Sequence, residues 1–396
     1  MKAIIFQGQS QYDVLRRFSY RYAKGLKNNG VETILFDLNL LRNPQEYLEL
    51  VNKFKPDFTL GFNPITILFE NGLTHFEKTK IPHFAFIVDH PYYHMNRALK
   101  NPNHPLVHIL YTEKNYDFSI NKLGLKKITK KRYFASEQVL NTNFEEKIFD
   151  VVFFGSFQSP KEILNIIDSQ IQDKKIAGLT LRFLDDIKYF VTKDKSFLPN
   201  DIEIYFLEYL KVNLPNISET ELNRVSMNLF SFIDKYYRQI TREETLKAFA
   251  QEGLNITVFG NDMLKKSLEE FNNVTVHGPV SYQDCMNIVA QSKVTLNSSA
   301  MYQSYHDRIP LIYANKSILC TNIMQDLMDT LPQSLNNTLY YNMDNIQDVS
   351  NIIKDLINDK EEYNSIVEDA YIMASNHFSV ENDIQELLDI YKKVFA

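Results

Sequence analysis

The sequence predicts an α/β protein built from two tandem, doubly wound parallel sheets. Short apolar runs alternate with longer segments of helical period from the first residue onward, which is typical of parallel strands joined by helices. This alternation restarts after a polar stretch in the middle of the chain. A length of 396 residues also fits two domains better than one, because a single hydrophobic core seldom organises a chain of this size.

The first domain is predicted from six short apolar runs separated by amphipathic segments. The strands expected there are Lys2–Gln7, Glu32–Leu38, Asp57–Asn63, His83–Asp89, Leu106–Thr112 and a weaker one near Ile128–Phe134. In Gln11–Asn29, apolar residues recur every four positions, and Gly30 follows as a helix stop. A second helix, Asn43–Lys55, has Pro44 in its first turn and Pro56 after its end. Each such helix is expected to be a crossover connection between parallel strands.

A polar stretch without a clean period, Ser136–Lys147, marks the expected domain boundary. We expect an N-terminal domain at 1–140, a C-terminal domain at 148–378 and a final helix at 379–396 that packs back on the first domain. The strands expected in the second domain are Phe149–Ser156, Asn255–Asn261, Val274–Gly278, Lys293–Ser298, Ser317–Thr321 and Thr338–Tyr341.

The first two of these strands are separated by about 95 residues, far more than a crossover needs. Four helical segments account for most of that length, and they are Pro160–Asp173, Leu179–Val191, Asp201–Val212 and Glu219–Tyr237. The sequence therefore predicts a helical insertion at about 160–240. Such an insertion could bind a partner or the acceptor. It could equally well enlarge the hydrophobic core or form a dimer surface.

Net charge and composition indicate which kinds of binding partner the protein can have. The net charge of −6 argues against a nucleic-acid polymer or an anionic membrane, although a local basic site could still bind phosphate. The N-terminus turns polar at Gln7, and no window reaches 18 apolar residues, so the sequence predicts neither a signal peptide nor a membrane span. The expected location is cytoplasmic.

Cys285 and Cys320 are too few for a disulfide scaffold and lie in apolar runs, which predicts buried, inert thiols.

Ligands of open parallel sheets bind outside the carboxyl ends of the strands. We therefore take the polar residues and glycines that follow each predicted strand as candidate binding residues. In the first domain these residues are Gly8, Gln9, Asp89, His90 and His94. In the second domain they are Gly155, Ser156, Gly260, Asn261, Asn297, Ser298, Ser304, His306 and Arg308. Glycine at such positions permits a close backbone approach to a ligand, although a tight turn needs the same residue.

The densest polar stretch after a strong strand is Leu296–Arg308, which leads into a helix beginning near Asp307. Serine hydroxyls, helix N-terminal amides and the Arg308 side chain together suit a diphosphate. An N-cap at Asp307 with a surface Arg308 explains the same pattern equally well.

Asp89 and His90 end an apolar strand and are candidates for a general base or a substrate-orienting pair. A structural Asx-turn ahead of Pro91 is the alternative, and for Asp89 alone it is the simpler one. Pro91 and the lack of an H-E-x-x-H frame argue against a metal shared by His90 and His94. The sequence motifs G-x-S-x-G, G-x-x-x-x-G-K-[ST] and G-x-G-x-x-G are also absent from the sequence. Their absence argues against a serine hydrolase, a P-loop protein and a dinucleotide-dependent oxidoreductase.

Four segments of the second domain follow one another in a recognisable order. They are Phe149–Ser156, Ile256–Gly260, His277–Tyr282 and Ser292–Asn297, followed by a serine-to-arginine element at Ser304–Arg308 and a turn and strand at Ala314–Thr321. This succession resembles the CgeB-like (spore maturation protein-like) group of GT-B glycosyltransferases, which have two Rossmann-like domains. The group usually carries a ribose-binding glutamate three residues after the arginine, and this chain has Leu311 there.

The resemblance implies a metal-independent glycosyltransferase that uses no cofactor and takes a nucleotide-sugar as its donor substrate. Gly155, Ser156, Gly260, Asn261, Asn297, Ser298, Ser304, His306 and Arg308 would bind this donor. Gly8, Gln9 and His94 would face a glycan or protein acceptor, and Asp89 or His90 would activate it. A nucleotide-sugar epimerase of the same architecture and a non-catalytic sugar- or protein-binding module are the alternatives, and a homodimer is left open.

Overall fold

The structure is a computed structural model that describes residues 1–8, 13–63, 65–94, 105–110, 112–130, 142–193, 202–299, 306, 308–324, 327–328 and 337–395. It contains two six-stranded parallel sheets flanked by helices, which confirms the predicted α/β fold. The chain divides into two compact units, one formed by Met1–Ser136 with Ser375–Ala396 and the other by Glu137–Ala374.

The sheet of the first unit has the strand order β2-β1-β3-β4-β5-β6. Its strands are β1 (Lys2–Gln7), β2 (Glu32–Asp37), β3 (Phe58–Phe62), β4 (His83–Ile87), β5 (Leu106–Leu110) and β6 (Ile128–Lys130). Its helices are α1 (Val14–Asn28), α2 (Pro44–Phe54), α3 (His75–Thr79), α4 (Glu113–Asn121) and the C-terminal helix, which is numbered α14 (Val380–Phe395). The strands β3, β4 and β5 are buried along their whole length, as expected for a sheet covered on both faces.

Helix α2 shows how local sequence signals set the element boundaries. The Asn43 side chain accepts hydrogen bonds from the amides of Gln45 and Glu46, and Pro44 occupies the first turn. These groups satisfy amides that have no partner inside the helix, so the helix begins there. Lys55, in a left-handed conformation with φ 53°, ends it.

The C-terminal helix α14 packs against α1 inside the first unit. A Cβ placed on Gly25 of α1 would lie 2.6 Å from Val380 and 2.8 Å from Ile384, so only glycine allows this close approach. The Tyr22 hydroxyl donates a hydrogen bond of 2.9 Å to Asp383 Oδ2. The end of the chain is thus built into the core that supports the first sheet.

The sheet of the second unit has the order β12-β11-β10-β7-β8-β9. Its strands are β7 (Phe149–Phe154), β8 (Ile256–Phe259), β9 (Val274–His277), β10 (Ser292–Asn297), β11 (Ile318–Asn322) and β12 (Thr338–Tyr341). Its helices are α5 (Pro160–Gln170), α6 (Lys174–Thr192), α7 (Ile202–Asn213), α8 (Glu219–Gln251), α9 (Asp262–Ser267), α10 (Tyr282–Ala290), α11 (Arg308–Ala314), α12 (Ile346–Leu356) and α13 (Lys360–His377).

Helix α8 joins the helical insertion to the sheet. The sequence predicts an end at Tyr237, whereas α8 continues as one helix of 33 residues. Helices α5, α6 and α7 pack against it, and its last turns place Leu246 and Phe249 in the core beneath β7 and β8. The insertion therefore rests on the helix that also performs the crossover between β7 and β8.

None of the helices in the described ranges combines the length and apolar character that a membrane span requires.

Candidate functional site

The carboxyl ends of β7 and β8 lie in direct backbone contact. The Gly155 amide donates to Phe259 O at 3.1 Å, and the Gly260 amide donates to His277 O at 3.0 Å. A Cβ on Gly260 would lie 2.9 Å from Gly155 O and 3.0 Å from Leu264 Cδ2. The glycine at 260 thus permits two predicted site segments to approach each other.

We expect Gly260→Ala to lower the free energy of unfolding by about 1–3 kcal/mol, because the new methyl group must push a backbone carbonyl aside. Gly278→Ala is the matched control, since it also follows a strand end but a Cβ there would meet no atom within 4 Å. Denaturant titration of both variants measures the difference. Equal stabilities would contradict the steric role of Gly260.

The loops after these strands differ in how far they are exposed. Ser156 is exposed, and Gly155 and Asn261 are half-buried. Asn261 Nδ2 donates to Phe157 O at 2.6 Å, while Asn261 Oδ1 accepts from the Leu264 amide at the start of α9. Asn261 therefore ties two loops together, and Ser156 is the most exposed of these three residues.

Arg308 begins α11 and bonds to the end of β7. Its Nη1 donates to Phe154 O at 3.1 Å, and its guanidinium lies 5.4 Å from the centre of the Phe154 ring. The amides of Arg308 and Ile309 donate to Nδ1 and O of His306, at 3.2 Å and 2.9 Å. These two main-chain amides already have hydrogen-bond partners. The Arg308 guanidinium is therefore better placed than the amides at the start of α11 to bind an anion.

Arg242 is a second arginine at the same place, and the sequence interpretation missed it. It lies on α8, and its Nη1 donates to Ser156 O at 3.0 Å. Arg242 stands four residues before Leu246 and seven before Phe249, a spacing that puts all three on one face of a helix. The carbonyls of Phe154 and Ser156, two residues apart, thus each accept a hydrogen bond from a different guanidinium.

Asn297 and Ser298 lie at the end of β10 inside a buried network. Asn297 Nδ2 donates to Ser299 Oγ at 2.9 Å and to Thr321 Oγ1 at 3.0 Å, and Tyr341 donates to Asn297 O. Asn297 is 1% exposed and Ser298 is 8% exposed. The geometry favours a role in joining the ends of β10, β11 and β12 over direct contact with a ligand. Ser304 lies outside the described residues.

Asp89 and His94 come together after β4 in the first unit. Asn63 Nδ2 donates to Asp89 Oδ2 at 2.9 Å, and Asn63 Oδ1 accepts from the Val88 amide at 3.0 Å. His94 Nε2 lies 3.8 Å from Asp89 Oδ2. The Asp89 side chain remains 46% exposed, so it is held in place yet open to a reactant. Asn63, which has a left-handed φ of 58°, is the residue that positions the Asp89 carboxylate.

His90 has a different environment from its neighbour Asp89. It is fully buried, its ring packs 4.9 Å from Phe118 and 5.3 Å from Tyr92, and its Nδ1 accepts a hydrogen bond from the Tyr92 amide. These contacts favour a structural role for His90 in the turn after β4.

Gly8, at the end of β1, accepts a hydrogen bond of 3.4 Å from Arg16 Nη1. The same guanidinium makes an ion pair of 2.6 Å with Asp37, and its hydrogen bond holds the pKa of Asp37 below the ordinary value. The charges at this end of β1 and β2 are therefore paired with each other. Gln9 lies outside the described residues.

No group of three or more His, Cys, Asp or Glu side chains in the described ranges is arranged to hold a metal ion. Both cysteines are buried as free thiols, and burial raises the pKa of Cys320. A leucine at 311, where the resembling group carries glutamate, is 3% exposed and packs within α11.

A family model described as glycosyl transferase-like matches residues 238–389, which is less than half of the chain but includes both Arg242 and Arg308. No curated protein matches the chain.

Three solved structures are similar over nearly the whole chain. A glycosyltransferase from Rickettsia africae has 11% identity and a TM-score of 0.55, with 99% of this chain and 98% of that one covered. An α-glucosyltransferase in complex with UDP-glucose and DNA has 12% identity and a TM-score of 0.57, with 99% of each chain covered. A sucrose-phosphate synthase from Thermosynechococcus elongatus has 8% identity and a TM-score of 0.58, with 100% of this chain and 99% of that one covered.

The chain has the GT-B fold. With the glycosyl transferase-like domain at 238–389, this confirms the enzyme class predicted from the sequence, a glycosyltransferase. The narrower CgeB-like group stays a prediction. At these identities the structural relatives show the fold alone.

Proposed function

We propose that this GT-B protein, as a member of the CgeB-like group, is a metal-independent glycosyltransferase that moves a sugar from a nucleotide-sugar to a glycan or protein acceptor. One observation carries the proposal. Two guanidinium groups, Arg242 and Arg308, bond to neighbouring carbonyls at the carboxyl end of β7, beside the exposed Ser156. That edge of a parallel sheet is where ligands bind in doubly wound folds.

The proposed donor chemistry follows from the charges at this edge. When the bond between sugar and nucleotide breaks, negative charge grows on the leaving phosphate. Fixed guanidinium groups stabilise that charge most in the transition state, and they pair well with phosphate oxygens. They supply the positive charge that a divalent cation supplies in other enzymes. Gly155 and Ser156 offer a backbone that phosphates can approach closely, and Gly260 and Asn261 lie next to them.

For the acceptor, we propose Asp89 as the general base that takes the proton from the attacking hydroxyl. Its carboxylate is partly exposed, and the Asn63 amide fixes its orientation. A base that is oriented by a second side chain can reach a bound hydroxyl without first losing rotational freedom.

Calorimetric titration with UDP, GDP and CMP tests the donor half of the proposal. We expect at least one nucleotide to bind, and addition of the corresponding nucleotide-sugar with candidate acceptors should give a glycosylated product. Binding without transfer but with a changed sugar would indicate an epimerase, and failure of all three nucleotides to bind would favour a non-catalytic module. The exclusion of nucleic-acid polymers and the cytoplasmic location stay predictions, and a homodimer stays open.

A further inference from the structure

A cavity of about 420 Å³ lies in the second unit at the amino ends of β7, β10 and β11. Strand β7 has six residues, so this cavity is about 17 Å from the carboxyl edge that holds Arg308. Its volume falls within the range of small-molecule sites. The cavity is therefore separate from the proposed donor site and does not depend on that proposal.

Three lysines and two glutamates line the cavity. Lys316 pairs with Glu368 at 2.6 Å, and Lys360 pairs with Glu145. Both carboxylates thus already have a cationic partner, and the third lysine, Lys147, has no carboxylate within 4 Å among the described residues.

Lys147 is a buried cation whose partners are neutral. Its side chain is 6% exposed, and Nζ donates to Ala290 O at 2.8 Å and to Ser292 O at 3.2 Å. Nζ also lies 6.0 Å from the centre of the Tyr363 ring. Burial, with the nearby charge of Lys316, lowers the pKa of Lys147 to about 7. The protein holds this charge at a cost, since a buried ion without a counter-ion is unfavourable.

We propose that the cavity binds a small molecule carrying an oxyanion, either a carboxylate or a tetrahedral phosphate-like group, which pairs with Lys147. Two carbonyls use two of the three ammonium protons, which leaves one donor for the anion. Asn143 and Asn364 also line the cavity, and side-chain amides of this kind can hydrogen-bond the rest of such a ligand. The ion pair would provide the counter-charge that Lys147 lacks.

Thermal unfolding in the presence of sulfate or acetate tests this proposal. Each salt is compared with sodium chloride at equal ionic strength, and the two anions distinguish a tetrahedral from a planar oxyanion group. We expect at least one of them to raise the Tm of the wild type with a saturable dependence on its concentration. Lys147→Met should abolish the saturable part or raise the half-saturating concentration tenfold or more, whereas the exposed Lys161→Met should respond like the wild type.

Arg308→Ala serves as a second control, because an anion bound at the donor site would lose its effect in that variant and an anion in the cavity would not. The proposal is overturned if neither anion stabilises the wild type, if Lys147→Met responds like the wild type, or if Arg308→Ala removes the response.

The pH dependence provides an independent check. Among the described residues, the charged and titratable side chains that line the cavity with Lys147 are Glu145, Lys316, Lys360, Tyr363 and Glu368, and the Lys293 ammonium lies over the ring of Phe144, which also lines it. With its pKa near 7, Lys147 loses its proton between pH 6 and pH 8, and the half-saturating concentration of the anion should rise about tenfold over that range. A half-saturating concentration that does not change with pH would contradict an ion pair with Lys147.

Chemical labelling covers the case in which Lys147→Met does not fold. In the wild type at pH 7, the effective anion should slow acetylation of Lys147 by threefold or more, as measured by peptide mass spectrometry, and should leave Lys161 unaffected. Equal acetylation rates of Lys147 with and without the anion would overturn the proposal.

Discussion

Arg308→Ala is expected to lower the turnover of the donor nucleotide-sugar by about 10²–10³-fold, because loss of one fixed donor to a developing oxyanion has effects of that size. The variant should also bind the free nucleotide more weakly, since the same guanidinium meets the phosphate in the ground state. The fold should persist, because the side chain makes one hydrogen bond, to Phe154 O, and one ring contact among the described residues.

The measurements are a calorimetric titration with the nucleotide that binds the wild type, a steady-state assay of donor turnover, and a thermal unfolding curve. Arg224→Ala is a matched control, because Arg224 lies on the exposed face of α8 and, among the described residues, pairs with Glu221. That variant should bind and turn over the donor like the wild type. Full activity in Arg308→Ala would remove the main support for the donor site.

The fold could be predicted from the sequence because each strand carries its own signal. A buried parallel strand needs an uninterrupted apolar run, and β3, β4 and β5 have one. The ends were less accurate, since the strand predicted as His83–Asp89 ends at Ile87. Residues just past a strand form turns and side-chain hydrogen bonds. Asn63 is an example, because its left-handed φ ends β3 one residue before the predicted strand end.

The site could be predicted only in part, because sequence position indicates the edge of a sheet but not which side chains are exposed there. Asp89 and His90 are adjacent in sequence, yet one is open and the other is packed against Phe118. Arg242 reaches Ser156 from 86 residues away, through a helix whose length was underestimated. Contacts of this kind depend on tertiary packing, which no local pattern records.

Lys147 illustrates the same limit for buried charge. In the sequence it is the last residue of a polar stretch, where a lysine is expected to be solvated. In the structure its ammonium group donates to the carbonyls of Ala290 and Ser292, which lie more than 140 residues further along the chain. Only the closure of β7 against β10 brings them together and creates a site that the sequence analysis did not consider.

Asp89→Asn is expected to lower transfer by about 10²–10⁴-fold while leaving nucleotide binding unchanged, because the amide keeps the shape of the carboxylate but cannot accept the proton of an attacking hydroxyl. The hydrogen bond from Asn63 can persist to the remaining carbonyl oxygen, so stability should change little. Asp117→Asn, on an exposed position of α4, is the matched control and should keep full activity.

The variants Arg308→Ala and Asp89→Asn together separate donor binding from acceptor activation. Arg308→Ala should lose nucleotide affinity and turnover together, and Asp89→Asn should lose turnover alone. If Asp89→Asn retains more than half of the wild-type rate, the base must be sought elsewhere, and if it loses nucleotide affinity as well, Asp89 supports the donor rather than the acceptor.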